Sequence, residues 1–239
     1  MSNQLKQLLS DLHELASPQK AKNSARFFKT GSGEYGEGDQ FLGLTVPEQR
    51  AIAKKFSALA LTDIKTLVTS PWHEERLTGL IILVNQFKRC AEADKKTRYD
   101  FYLSHTKYIN NWDLVDLTAH EIVGSFIEDK NRNILDSLAA SRSLWERRIA
   151  MISTFHFIKQ GDSGDALRIA EILLYDTHDL IQKATGWMLR EIGKRIDQKI
   201  LIYFLEKHPD MPRTTLRYAI EHFPETQRTL YLNMGKKSP

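Results

Sequence analysis

The chain has 239 residues, of which 41% are hydrophobic, enough for a real core and too few for a membrane protein. Its 34 Lys and Arg against 30 Asp and Glu give a net charge of +4, which alone argues only weakly for nucleic acid. The single cysteine, Cys90, excludes an intrachain disulfide and agrees with a reducing compartment.

The first twenty residues, MSNQLKQLLSDLHELASPQK, alternate charge with leucine and lack a signal-peptide core. They read as an amphipathic helix, and the expectation is a cytoplasmic protein. Gly31-Ser32-Gly33-Glu34-Tyr35-Gly36-Glu37-Gly38 follows. It lacks the Lys-Ser/Thr of a P-loop, which leaves two readings: a flexible connection, or a mobile loop that carries Tyr35 to a ligand. Leu77, Leu80, Ile81, Val84 and Phe87 then recur at helical spacing, and Cys90 reads as half-buried at that helix's end. Trp112, Val115, Ala119, Ile122 and Phe126 make the next stripe, Ile149, Ile152, Phe155 and Ile158 a third, and Ile200, Leu201, Phe204 and Leu205 a fourth. Pro18, Pro47, Pro71, Gly161, Pro209, Pro212 and Pro224 fall mostly between stripes. No stretch alternates long enough for a sheet, so the expectation is an all-α protein of about a dozen helices.

The helices also look periodic. Trp72, Trp112, Trp145 and Leu180 each stand near the start of a core-forming helix, at intervals of 40, 33 and 35 residues. Such periods suit stacked helix pairs of the HEAT or armadillo kind, which build a curved solenoid. Asp116, Arg148 and Trp187, 32 and 39 residues apart, would then line one concave surface.

Three stretches carry the chemistry: Trp112-Asp113-Leu114-Val115-Asp116, Trp145-Glu146-Arg147-Arg148, and the run from Gln182 to Arg190. Arg147, Arg148, Lys183, Arg190, Lys194 and Arg195 interleave with Trp145 and Trp187, which favours a phosphate-facing surface; Arg213, Arg217, Lys236 and Lys237 add charge near the C-terminal end. No zinc spacing, nucleophile elbow or Walker loop is present, and the eight histidines read as surface or packing residues. Taken singly, each feature has a plainer reading. Trp112 and Trp187 would be core, Asp116 would answer a helix dipole, and Arg148 would pair with an acid on the next helix.

Taken together, these motifs resemble the AlkD-like DNA alkylation-repair glycosylases, as does Phe41-Leu42-Gly43-Leu44-Thr45-Val46-Pro47-Glu48-Gln49-Arg50. The similarity runs over nearly the whole chain in the family's order. It implies one domain over residues 1–239, a right-handed α-solenoid of HEAT-like repeats with a concave basic face, acting as a monomer on duplex DNA. It implies excision of cationic N3- and N7-alkylated purines with no metal or other cofactor and no membrane. The catalytic carboxylate falls on Asp116, the flanking tryptophans on Trp112 and Trp187, and the arginine on Arg148. Arg147, Arg148, Lys183, Arg190 and Tyr35 are the candidates for DNA contact, although the glycine-rich insertion around Tyr35 departs from the family's pattern.

The chemistry suits the residues. An N3- or N7-alkylated purine is cationic, and rupture of its glycosidic bond leaves positive charge on the sugar. A carboxylate beside that carbon stabilises the charge and can orient water. Residues 112 and 116 share one helical face. An indole meeting the cation is worth roughly 0.5–2 kcal/mol. No lysine nucleophile is required, so base excision without strand cleavage is expected. Two competing classes are a DNA-structure-binding module that does not excise, and a protein-interaction scaffold.

Overall fold

The computed structural model describes residues 1–233; Lys236 and Lys237 lie outside the described residues. Caps written in the sequence set the helix starts. Ser2 accepts from the Leu5 N–H at 3.1 Å and opens α1 (Asn3–Glu14), which buries Leu5, Leu8 and Leu12. Pro18 opens α2 (Pro18–Phe27) behind a Ser17 cap. Thr45 and Glu48 form a capping box at α3 (Val46–Lys55). There follow α4 (Leu61–Val68), α5 (His73–Arg89), α6 (Glu92–Ser104) and the short α7 (Trp112–Asp116). Next come a wide π turn, His120–Gly124, and α8 (Ile134–Ala139), α9 (Leu144–Ser153), α10 (Phe155–Ile158), α11 (Gly164–Leu173), α12 (Asp179–Arg195), α13 (Gln198–Lys207), α14 (Arg213–Ala219) and α15 (Glu225–Asn233). Among the described residues the fold is all-helical, with one isolated bridge, Gln40 to Trp72.

Contacts among the described residues gather into two compact units, Met1–Thr118 and a second from Ala119 onward. The first is built on α5. Thirteen of its seventeen residues are buried, beneath α3, α4, α6 and α7. The second is built on α12, which meets α9, α11, α13 and α14. Gly186 lets α14 approach α12, because a Cβ there would collide with the Thr215 carbonyl oxygen.

The expected period has a physical counterpart. Arg76 Nη1 donates to the Ser70 carbonyl, Arg147 Nη1 to that of Ser141 and Gln182 Nε2 to that of Asp176, at 3.0, 3.1 and 2.9 Å. Each donor lies six residues after its acceptor, across the turn that opens α5, α9 or α12. Each of these turns thus satisfies a loop carbonyl with a side chain from its own helix's first turn.

Two stripes that read as single faces are interrupted. After Asp116 the chain turns and widens into the π segment, with the Thr118 hydroxyl bonding back to the Leu114 carbonyl. The third stripe breaks at Thr154, whose hydroxyl donates to the Met151 carbonyl, so Phe155 belongs to α10 and is half-buried. Cys90 ends α5, half-buried.

Candidate functional site

In α7, Asp113, Leu114 and Val115 are buried, whereas Trp112 and Asp116, one helical turn apart, are each half-buried. The helix therefore presents an indole and a carboxylate side by side at its surface. Asn111 caps it, its Oδ1 accepting from the Trp112 N–H at 2.8 Å.

Beneath α7 lies a buried charge cluster. His73, the first residue of α5, has its Nε2 at 2.8 Å from Asp113 Oδ2. Its Nδ1 stands 3.5 Å from Asp39 Oδ2, an ion-pair contact rather than a well-formed hydrogen bond. Arg76 Nη2 meets Asp39 Oδ1 at 2.7 Å. His73 is 2% exposed. Burial alone would push its imidazole pKa down, but the Asp113 charge and hydrogen bond, aided by Asp39 and opposed by Arg76, raise it to about 9. Burial likewise pushes the Asp39 carboxyl up, and His73 and Arg76 outweigh it, holding Asp39 below its usual range. The histidine is thus an imidazolium at neutral pH.

Aromatic rings join this cluster to the surface. Phe28 packs on the His73 ring at 4.8 Å and on the Trp112 ring at 5.4 Å. Phe27, 64% exposed, meets the Trp112 ring edge-on at 5.8 Å. Phe27, Phe28 and His73 were not singled out by the sequence pattern. The pair Phe27-Phe28 ends a polar helix without a stripe, and His73 is separated from both acids by more than thirty residues. The signal available was an exposed aromatic doublet in a polar stretch.

The Phe41–Arg50 stretch is held in place by α5. Glu74, 2% exposed, accepts the backbone N–H groups of Leu42, Gly43 and Leu44 at 2.9, 2.8 and 3.2 Å. The glycine-rich segment is a set of turns closed by its own acids, Gly31 N to Glu34 at 2.8 Å and Gly33 N to Glu37 at 2.9 Å. Gly36 is pinned against α2 through the Lys29 carbonyl at 3.1 Å, and a side chain there would collide with the Phe28 carbonyl. Tyr35 is half-buried within it.

In the second unit Trp187 is half-buried on α12, between the buried Gly186 and Met188. Its Nε1 donates to Glu191 at 3.3 Å and its ring lies 6.0 Å from that of Phe155. Lys159 and Arg195 stand over the Phe155 ring at 5.3 and 5.1 Å, so indole, phenyl and two cations form one patch. Burial pushes the Glu191 carboxyl up, but bonds from Arg195 and Trp187 and the Arg190 charge outweigh this and lower it.

The other basic candidates are engaged inside the unit. Arg148 is 5% exposed and donates to the Leu180 carbonyl, binding α9 to the first turn of α12. Arg147 bonds Asp176 at 2.6 Å and the carbonyls of Ser141 and Arg142. Lys183 pairs with Asp179 at 2.8 Å, and Arg190 with Glu221.

A sequence model of the family described as DNA alkylation repair enzyme matches residues 8–223. Among solved structures, a "Predicted DNA alkylation repair enzyme from Enterococcus faecalis" superposes with a TM-score of 0.67 at 14% identity, over 88% of this chain and 97% of that one. At that identity the likeness is one of fold. No curated protein sequence matches the chain. With a match over most of its length, the chain belongs to the DNA alkylation repair enzyme family.

Proposed function

We propose that this member of the family is a monofunctional DNA glycosylase that excises cationic N3- and N7-alkylated purines from duplex DNA. The observation that carries the reading is the surface of α7, where Asp116 and Trp112 stand one turn apart while the three residues between them are buried. In this reading Asp116 faces the sugar as positive charge develops on it, stabilises that charge and orients the water that attacks. The Trp112 face, with Phe27 at its edge, packs on the cationic nucleoside. Within the second unit, taken by itself, the Trp187 ring and Lys159 and Arg195 around the adjacent Phe155 ring are the candidates for contact with DNA. Arg148 of α9, buried against the first turn of α12, is the candidate for a further phosphate, since a helix N-terminus and a guanidinium both favour an anion. Because the lesion already weakens its own glycosidic bond, an open aromatic surface suffices without a closed base pocket.

The test is release of 7-methylguanine from methylated duplex in single turnover. The wild-type protein is expected to release it, and Asp116→Asn to release it about 10²–10³-fold more slowly with duplex affinity retained. Near-wild-type release by the variant would remove Asp116 from the chemistry. DNA binding with no release by the wild type would favour a DNA-structure-binding module instead.

A further inference from the structure

The helix that carries Trp112 and Asp116 cannot hold itself. It has five residues, and the bonds at its two ends, Val115 N to the Asn111 carbonyl and Leu117 N to the Asp113 carbonyl, are both 3.2 Å long. A segment this short is unstable alone, so its direction is set from outside. The contacts that set it converge on one place. Asp113, the second residue of the helix, is bound by His73 at 2.8 Å. Asn111, the cap, is fully buried and turns its Nδ2 to Asp39 at 3.5 Å. Asn110 reaches the same carboxylate at 3.4 Å. Asp39 is delivered by the glycine-rich turns, its N–H bonded to the Gly36 carbonyl at 3.1 Å, and is locked on its far side by Arg76.

We propose that His73 is a positioning residue for base excision: clamped between Asp39 and Asp113, it sets the direction of α7 and hence of the Trp112 ring and the Asp116 carboxylate. The inference rests on the glycosylase reading for its effect on rate. Its structural half stands on the geometry of the first unit alone.

The charges close. Asp39 and Asp113 carry two negative charges, His73 and Arg76 two positive ones, and the neighbouring acids of α5 are spoken for elsewhere. Glu74 holds the Leu42–Leu44 backbone, and Glu75 pairs with His13 at 2.8 Å and with the Ser70 hydroxyl at 2.6 Å. Removing the imidazolium leaves Asp39 with Arg76 but takes from the buried Asp113 carboxylate the cation that binds it, a loss the protein can relieve by moving that carboxylate toward water. Asp113 lies on a helix of only five residues, so α7 is the part that moves. Phe28 transmits the same restraint by a second route, since its ring packs on both His73 and Trp112. A displacement of about 1 Å at reacting groups can cost about 10²-fold in rate.

The experiment compares wild type, His73→Gln, the double variant His73→Gln with Asp113→Asn, and Leu173→Ala. The last empties a core site in α11 and controls for lost stability. Two quantities are read: single-turnover release of 7-methylguanine beside duplex Kd, and the fluorine NMR signal of Trp112 in protein labelled with 5-fluorotryptophan, assigned with Trp112→Phe. His73→Gln is expected to slow release by about 10–100-fold with duplex Kd nearly unchanged, and to shift or broaden the Trp112 signal without moving that of Trp187. The double variant, which restores neutrality, should recover part of the rate. Leu173→Ala should melt earlier yet excise normally while folded. If His73→Gln does not fold, Asp39→Asn loosens the clamp without replacing a residue of α7 and should move the same signal. Wild-type release together with an unmoved Trp112 signal in folded His73→Gln overturns the proposal. If the wild type releases no base, the glycosylase reading fails, and the clamp is decided by the Trp112 signal: moved upholds it, unmoved overturns it.

Discussion

At the scale of the residue, one buried imidazolium makes a sharp claim about pH. The His73 pKa is raised in the folded protein from the ordinary 6.5 to about 9. A raised pKa means the charge stabilises the fold fully below the unfolded value and that this stability is lost as pH rises through about 9. The melting temperature of the wild type should therefore exceed that of His73→Gln most near pH 6, and the gap should shrink steadily toward pH 10. A gap that is constant with pH would show that His73 stabilises by packing alone. Arg148 makes a second claim. Its guanidinium is 5% exposed and holds the Leu180 carbonyl, so Arg148→Ala should lower stability by about 1–3 kcal/mol, the cost of stripping a buried acceptor of its donor. If Arg148 also holds a phosphate, the slope of log K against log salt should fall by about one unit. A lower melting temperature with an unchanged slope would leave it an anchor of α12 only. Placement on one helix surface was legible where helical spacing holds, as for Trp112 and Asp116. Contacts were hidden where the partners are distant in sequence. His73 read as an ordinary packing histidine because Asp39 and Asp113 lie on other segments. Arg147, read as a DNA-facing cation, bonds Asp176, which belongs to the next repeat.

At the scale of the element, the stripes were legible because α5 is buried nearly all round and α1 along one side, and burial is what periodicity reports. The breaks after Asp116 and at Thr154 were not. They arise from hydroxyls that bond back to the preceding turn, and this leaves the apolar spacing intact. The glycines explain why two motifs read as they do. In Gln182–Arg190, Gly186 is the point where α14 comes closest, so Gly186→Ala should push the Thr215 backbone away and cost about 1–3 kcal/mol in denaturant unfolding. An unchanged midpoint would mean that α14 can shift freely. In Phe41–Arg50 the backbone is tied to the buried Glu74. Glu74→Gln keeps the shape but offers the three N–H groups a neutral acceptor on one side and a donor on the other. It should cost roughly 2 kcal/mol, as for loss of a bond to a charged group, read by thermal melting.

At the scale of the molecule, the all-helical class and the family were legible because four stripes and three ordered motifs cover most of the chain, and the family match over residues 8–223 agrees. The modest charge of +4 gave less, since its placement decides what it can bind. In the proposed reading duplex affinity falls linearly with salt on a log–log plot, and Lys159→Ala should reduce that slope by about one unit while melting as the wild type does. An unaltered slope would take the Phe155–Trp187 patch out of the DNA interface.

Proteins built from repeated helix pairs tend to melt piecemeal, because each pair leans only on its neighbours and an end can peel while the rest stays folded. The Asp39, His73 and Asp113 cluster works against this within the first unit. It takes one residue from each of three stretches spaced 34 and 40 residues apart, and none of the three can leave without stranding the others' charge. Helices α5 and α7 should accordingly open together. In native-state hydrogen exchange the amides of Val115 and Leu117 should share the opening free energy and denaturant sensitivity of the α5 core, although a helix of five residues at the surface would by itself exchange almost at once. Replacing His73 should uncouple them, and α7 should then fray independently.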